Sequence, residues 1–115
     1  MTSREAFISL CITLANIDDD FDPEEEKKLK ILFERYGFTP EEVQQVHNTL
    51  KNVQPNEAFE FGVLSIQVAC ELDSTMRSNL LTAMEAIAEA DGKIDPRESK
   101  LIKCTENMFR LMYGE

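Results

Sequence analysis

Carboxylates dominate the chemistry this chain has available. From Asp18 to Glu26 seven of nine residues are acidic, and a second acidic turn follows at Asp91-Gly92-Lys93-Ile94-Asp95-Pro96-Arg97-Glu98. Several carboxylates within a few residues of one another are the donors of a hard-cation site, since Ca²⁺ takes about 6–8 oxygen ligands. Concentrated like charge costs stability through repulsion, and a bound cation relieves it.

A simpler reading stands beside that one. Asp22 and Asp95 are placed to cap helices, accepting hydrogen bonds from open amides of the first turn. Pro23 and Pro96 suit the first helical position, and Glu25 and Glu98 the third, as in a capping box. Thr39-Pro40-Glu41-Glu42 has the same pattern without upstream acids, so Asp-Pro-x-Glu alone signals a helix start. Capping leaves Asp18 and Asp91 unexplained, each four residues before its cap, and Asp19 and Asp20 crowd the first copy. A standard EF-hand is excluded: its sixth position holds Pro23 or Pro96 instead of Gly, and its twelfth holds Leu29 or Ile102 instead of Glu. A capped, solvated acidic surface and a different oxygen site both remain open.

Other chemistry is thinly represented. His47 is the only histidine and sits beside Val46 and Leu50 on a helical pattern, as a boundary residue does. There is no glycine-rich phosphate loop, no HExxH and no GxSxG. The chain is therefore expected not to be an enzyme. Its formal net charge of −10 over 115 residues opposes phosphate, which argues against nucleic-acid binding and against an anionic membrane surface. A basic protein surface is the expected partner class, with self-association as the other interaction. No apolar run reaches the roughly 18 residues that suggest a membrane span, and Met1-Thr2-Ser3-Arg4-Glu5 lacks a basic stretch leading into a signal-peptide core. Cys11, Cys70 and Cys104 are odd in number and widely spaced, without CxxC, and are read as buried small hydrophobes in a reducing, cytoplasmic setting.

The elements that position the acids read as all-α. Apolar residues recur at helical spacing nearly throughout, and no stretch alternates as a half-buried strand does. A first helix runs from about Ser3 to Asn16, with Ala6, Phe7, Leu10, Cys11 and Leu14 on one face. A second starts at Pro23 and stops at Gly37, and a third is capped by Thr39. Gln54-Pro55-Asn56 breaks the chain before a fourth helix over about Glu57 to Glu71. Asp73 or Ser74 caps a fifth to about Ala90, and Asp95-Pro96 opens the last, ending near Met112. Six helices with short connections make a compact bundle, expected as one domain over residues 1–115.

The chain also repeats itself. A shift of 73 residues pairs Thr2 with Thr75, Arg4 with Arg77, Ala15 with Ala88 and Asp18 with Asp91. The same shift pairs Asp22-Pro23 with Asp95-Pro96, Glu25 with Glu98 and Lys27 with Lys100. Amphipathic helices match easily, but these loops match too, as Ala-x-x-Asp-x-x-hydrophobic-Asp-Pro-x-Glu-x-Lys. The expectation is a duplicated helix–acidic loop–helix unit, about 2–36 and 75–109, packed with pseudo-two-fold symmetry.

The string Ala88-Glu89-Ala90-Asp91-Gly92-Lys93-Ile94-Asp95-Pro96-Arg97-Glu98 resembles the signature of the TerB-like family, which includes the tellurite-resistance protein TerB and the N-terminal part of some membrane-anchored J-domain co-chaperones. Ile17 to Glu25 supplies the degenerate first copy. The resemblance implies an all-helical fold with internal pseudo-symmetry, no known enzymatic activity, and a role in stress and metal-ion responses through acids. Carried over by position, the acids are Asp91, Asp95 and Glu98 and, in the first copy, Asp18, Asp22 and Glu25. The implied cofactor is a divalent cation, Ca²⁺ or Mg²⁺. Asp19 stands where the motif has Gly92, which weakens the site expected of the first loop. The alternative function is a protein-interaction module with an acidic face and no specific metal site. To either reading the C-terminal stripe Met108, Phe109, Leu111, Met112 and Tyr113 adds core, or a partner surface.

Overall fold

The computed structural model describes residues 1–16, 23–89 and 96–114, with side chains throughout except at 23–25 and 55. Within them are six α-helices: α1 (Ser3–Asn16), α2 (Pro23–Arg35), α3 (Pro40–Leu50), α4 (Ala58–Ala69), α5 (Ser74–Glu89) and α6 (Pro96–Tyr113). A 3-10 turn, Pro55–Glu57, leads into α4, and there is no strand among the described residues. The all-helical expectation holds. The fourth helix is shorter than its apolar pattern suggested, because its first residues tighten into the 3-10 turn and Cys70 closes it.

α1 is the axis of the structure. Every residue from Ala6 to Ala15 is buried, where the sequence suggested one apolar face. A helix that is apolar around its whole circumference has to be surrounded, and α1 packs against α3, α4, α5 and, more lightly, α2. Its buried hydroxyl at Ser9 meets Ser65 of α4, oxygen to oxygen at 3.1 Å, and Ser65 also donates to the Phe61 carbonyl. These bonds remove the penalty that a buried, unsatisfied hydroxyl would carry.

The α2–α3 corner is built by local chemistry. Gly37 has φ +83°, and the amides of Gly37 and Phe38 bond the carbonyls of Glu34 and Phe33 at 3.1 and 3.0 Å. This is a Schellman ending, and its hydrophobic contact is present as an edge-on Phe33–Phe38 pair with ring centroids 6.1 Å apart. Thr39 then caps α3, its hydroxyl accepting from the Glu42 amide at 3.2 Å. The expected capping box is present, with Glu42 also accepting from Thr39, and it is shared: Arg4 grips the Glu42 carboxylate at both oxygens, each at 3.1 Å. Arg4 also donates to the Gly37 carbonyl at 3.0 Å and lies over the Phe38 ring. One α1 side chain thus clamps the corner shut.

At the other end of the chain, α4 and α6 run in the same direction. Lys100 lies over Phe59, Gly62 faces Leu101, and the Tyr113 hydroxyl donates to the Cys70 carbonyl. Arg77 of α5 is buried beneath, stacked 3.6 Å from the Tyr113 ring centre and donating to the Leu72 carbonyl at 2.6 Å. Asp73 caps α5 by accepting from the Met76 amide at 2.8 Å. Beyond this lock the stripe leaves the core: Phe109 is buried, but Leu111 and Met112 are 83% and 59% exposed.

Candidate functional site

Of the six acids carried over from the sequence, four fall outside the described residues: Asp18, Asp22, Asp91 and Asp95. Glu25 belongs to the first turn of α2, with its side chain outside the described set. Glu98 is described. It occupies the first turn of α6 and is only 3% exposed, a burial that a carboxylate tolerates only with partners, and Glu98 has one. Among the described residues no three of His, Cys, Asp and Glu gather closely enough to hold a metal ion.

What the structure does bring together is the ends of the helices that carry the acidic segments. Asn16, the last residue of α1, and Arg97, in the first turn of α6, line one cleft of about 410 Å³. Its floor is apolar: Ile12 from α1, Leu50 from α3, and Phe59 and Phe61 from α4. Thr13, Asn16, Asn56, Arg97 and Lys100 supply its polar atoms. The Asn16 amide is turned back on its own helix, donating to the Ile12 carbonyl at 2.9 Å. The Lys100 ammonium lies 5.0 Å from the centre of the Phe59 ring, within cation–π range.

Sequence reasoning did not find this cleft. Lys100 entered only as the repeat mate of Lys27, and Phe59 and Phe61 were not singled out within the fourth helix. A signal was nevertheless present. Two residues apart on a helix, Phe59 and Phe61 point in different directions, so both cannot sit in one core face, and each is half-buried.

The remaining titratable groups behave as structural ones. His47 is half-buried on α3, and its pKa is lowered first by burial, with Lys51 and Lys30 adding to that and Glu26 opposing it. Burial pushes the Cys11 thiol far up, and that of Cys70 up more gently, against the pull of Arg77. Thiols in such surroundings are poor nucleophiles. Cys104 departs from the buried reading, being half-exposed on α6. The Glu42 pKa is lowered, chiefly by its hydrogen bond from Arg4.

Six α-helices and no strand among the described residues, none of the helices long and apolar enough to cross a membrane, make a small helical domain. The family model described as tellurite resistance protein TerB matches residues 4–115, nearly the whole chain, and the chain belongs to that family. No curated protein and no solved structure matches it.

Proposed function

We propose that this TerB-family domain is a non-enzymatic binder of a divalent cation, acting in a stress or metal-response setting through Asp18, Asp22, Glu25, Asp91, Asp95 and Glu98. The observation that carries the reading is the shared cleft: the end of the helix before the first acidic segment and the start of the helix after the second border one cavity. Two acidic segments rooted in one region can act on one ligand. The donor set is all carboxylate oxygen, which suits a hard cation such as Ca²⁺ or Mg²⁺ and disfavours soft metals. Glu98 is buried on the first turn of α6, and a metal ligand benefits from such rigidity.

The duplication belongs to the same proposal. α1 and α5 end at Asn16 and Glu89, and α2 and α6 begin at Pro23 and Pro96, both pairs offset by the same 73 residues as the sequence repeat. The repeat mates Arg4 and Arg77 both stack on an aromatic ring, Phe38 in one half and Tyr113 in the other. These parallels support a pseudo-two-fold arrangement of two helix pairs in a single domain.

The test is thermal melting with chelator and then with Ca²⁺, Mg²⁺ or Mn²⁺, against monovalent salt at matched ionic strength. A site filled at 100 times its dissociation constant raises stability by about 2.7 kcal/mol. Equal shifts from monovalent and divalent salts would mean that the −10 charge is only being screened, and the metal reading would fall. Asp91→Asn with Asp95→Asn is expected to abolish the divalent-specific part.

The exposure of Leu111 and Met112 favours a second reading, an interaction module. In that case Leu111→Ser with Met112→Ser lowers the sedimentation coefficient of a self-associating sample and removes the concentration dependence of its melting temperature.

A further inference from the structure

Two helices present outward faces that match in pattern and oppose each other in charge. On α2, Lys27, Ile31 and Arg35 are spaced four apart and so share one side of the helix, with Lys28 beside them. All four are exposed, Ile31 at 61%, while Leu29 and Phe33 turn inward. On α4, Glu60, Leu64 and Gln67 form the exposed side, with Glu71 just past the helix end. Leu64 is 58% exposed, and Gly62, Ser65, Ile66 and Ala69 are the buried side. One face therefore reads cation, isoleucine, cation, and the other carboxylate, leucine, carboxylate. A single exposed apolar side chain is ordinary on a protein surface; the opposite flanks distinguish these two. Glu34 borders Arg35 on α2. The acidic segment lies at the other end of that helix, so that Ile31 and Arg35 stand about 12 and 18 Å along the axis from Pro23.

From this we propose that α2 of one copy of the chain docks on α4 of a second, with Ile31 against Leu64. With those two side chains in contact, Glu60 meets Arg35 if the helices run in opposite directions, and Lys27 if they run the same way. Glu71 then lies within about a turn of the other cation in either case. α2 rests on α1 and α3, and α4 on α1 and α6, so the inner sides are occupied and the outer faces are left for a neighbour. A foreign partner would have to supply one face or the other, whereas this chain carries both. Because the faces differ, the contact is heterologous, and each copy offers one face of each kind. One helix laid on another buries less than about 1,200 Å², which places the contact among weak, concentration-dependent ones. The net charge of −10 opposes it at long range, but at physiological salt that repulsion is screened beyond about 8 Å. The apolar pair anchors the centre of the contact, and the flanking charges set its register. No metal enters the contact, so it is tested in chelator.

Sedimentation velocity of the full chain, from micromolar to millimolar concentration at physiological salt, reads the association directly. The weight-average coefficient should rise with concentration, and amide shifts at Lys27, Ile31, Arg35, Glu60, Leu64 and Gln67 should move over the same range. Ile31→Glu sets a carboxylate against the acidic face, and Leu64→Lys sets a cation against the basic one. Each should weaken self-association at least about tenfold, as loss of a central anchor does. Mixed together, the two variants should associate again, because one retains an intact α4 face and the other an intact α2 face. Leu111→Ser with Met112→Ser should leave the association as it was. A chain that stays monomeric at millimolar concentration overturns the proposal. So does self-association that survives either single variant, or that mixing the two fails to restore. Concentration-dependent shifts confined to other residues overturn it as well, and they decide the matter on the unaltered chain if a variant does not fold.

Discussion

Gly62 lies where α4 meets both α1 and α6, and its replacement by alanine sets two opposing effects against each other. A Cβ at this position would stand 3.1 Å from Leu101 Cδ1, 3.7 Å from its Cδ2 and 3.8 Å from Thr13 Cγ2. Carbon pairs are most comfortable at about 3.5–4.0 Å, so the nearest contact is several tenths of an ångström too close. Leu101 is fully buried and Thr13 nearly so, which leaves the leucine methyls no solvent to retreat into. In favour of the substitution, removing a mid-helix glycine contributes about 0.5–1 kcal/mol. Against it, an extra methyl forced into a close-packed core costs about 1–3 kcal/mol. Overpacking wins, with a net loss of about 1 kcal/mol, or a fall of roughly 4–8 °C in Tm for a domain near this size. Far-UV circular dichroism against temperature and urea measures both, and the urea slope should stay unchanged because the surface exposed on unfolding is the same. Leu101→Val trims the offending side chain, so Gly62→Ala with Leu101→Val should cost about 0.5–1 kcal/mol less than the sum of the single losses. A Gly62→Ala protein that melts higher than the original, or a strictly additive pair, would refute the packing of α4 against α6 described above.

The Arg4–Glu42 clamp should show a double-mutant coupling of about 0.5–1 kcal/mol between Arg4→Gln and Glu42→Gln, since both side chains are partly solvated, and high salt should shrink it. Because the folded Glu42 pKa is lowered, this stability is present above the unfolded value of about 4.3. It is lost as pH falls through the lower folded value, so urea midpoints of wild type and Glu42→Gln should converge in acid. His47 has the same sign for another reason: burial disfavours its charged form, so stability should decline as pH falls below about 6.5, the unfolded value, and His47→Gln should flatten that slope. Alkylation of the native protein with mass-spectrometric readout should label Cys104 first and reach Cys11 only on unfolding, because Cys11 has no solvent exposure and Cys104 is half-exposed.

Local signals in the sequence carried the helix boundaries well. Gly37, Thr39 with Pro40, and Asp73 act through backbone geometry and short-range hydrogen bonds, and each closes or opens a helix where its chemistry requires. Long-range geometry was less legible. The apolar pattern of α1 pointed to one buried face, whereas Ser9 and Thr13 are buried as well, because four helices gather round it. Glu42 read correctly as half of a capping box, but the arginine that shares its carboxylate lies 38 residues earlier, a pairing that spacing along one helix cannot reveal. The cleft was hidden for the same reason: it exists only where Asn16, Phe59 and Lys100, from three separate helices, converge. The acidic segments were the plainest feature of the sequence, and four of their six proposed ligands lie outside the described residues, so their chemistry is tested in solution.

Paramagnetic broadening of amide signals by substoichiometric Mn²⁺ tests the central claim most directly. If the two acidic segments share one cation site, the signals of Ala15, Asn16, Glu89, Arg97 and Glu98 should broaden first. Exposed acids remote from the cleft, Glu41 in the first turn of α3 and Glu71 just past the end of α4, should stay sharp, and Asp91→Asn with Asp95→Asn should remove the effect. Broadening spread evenly over every exposed carboxylate, or the same local broadening in that double variant, would contradict it.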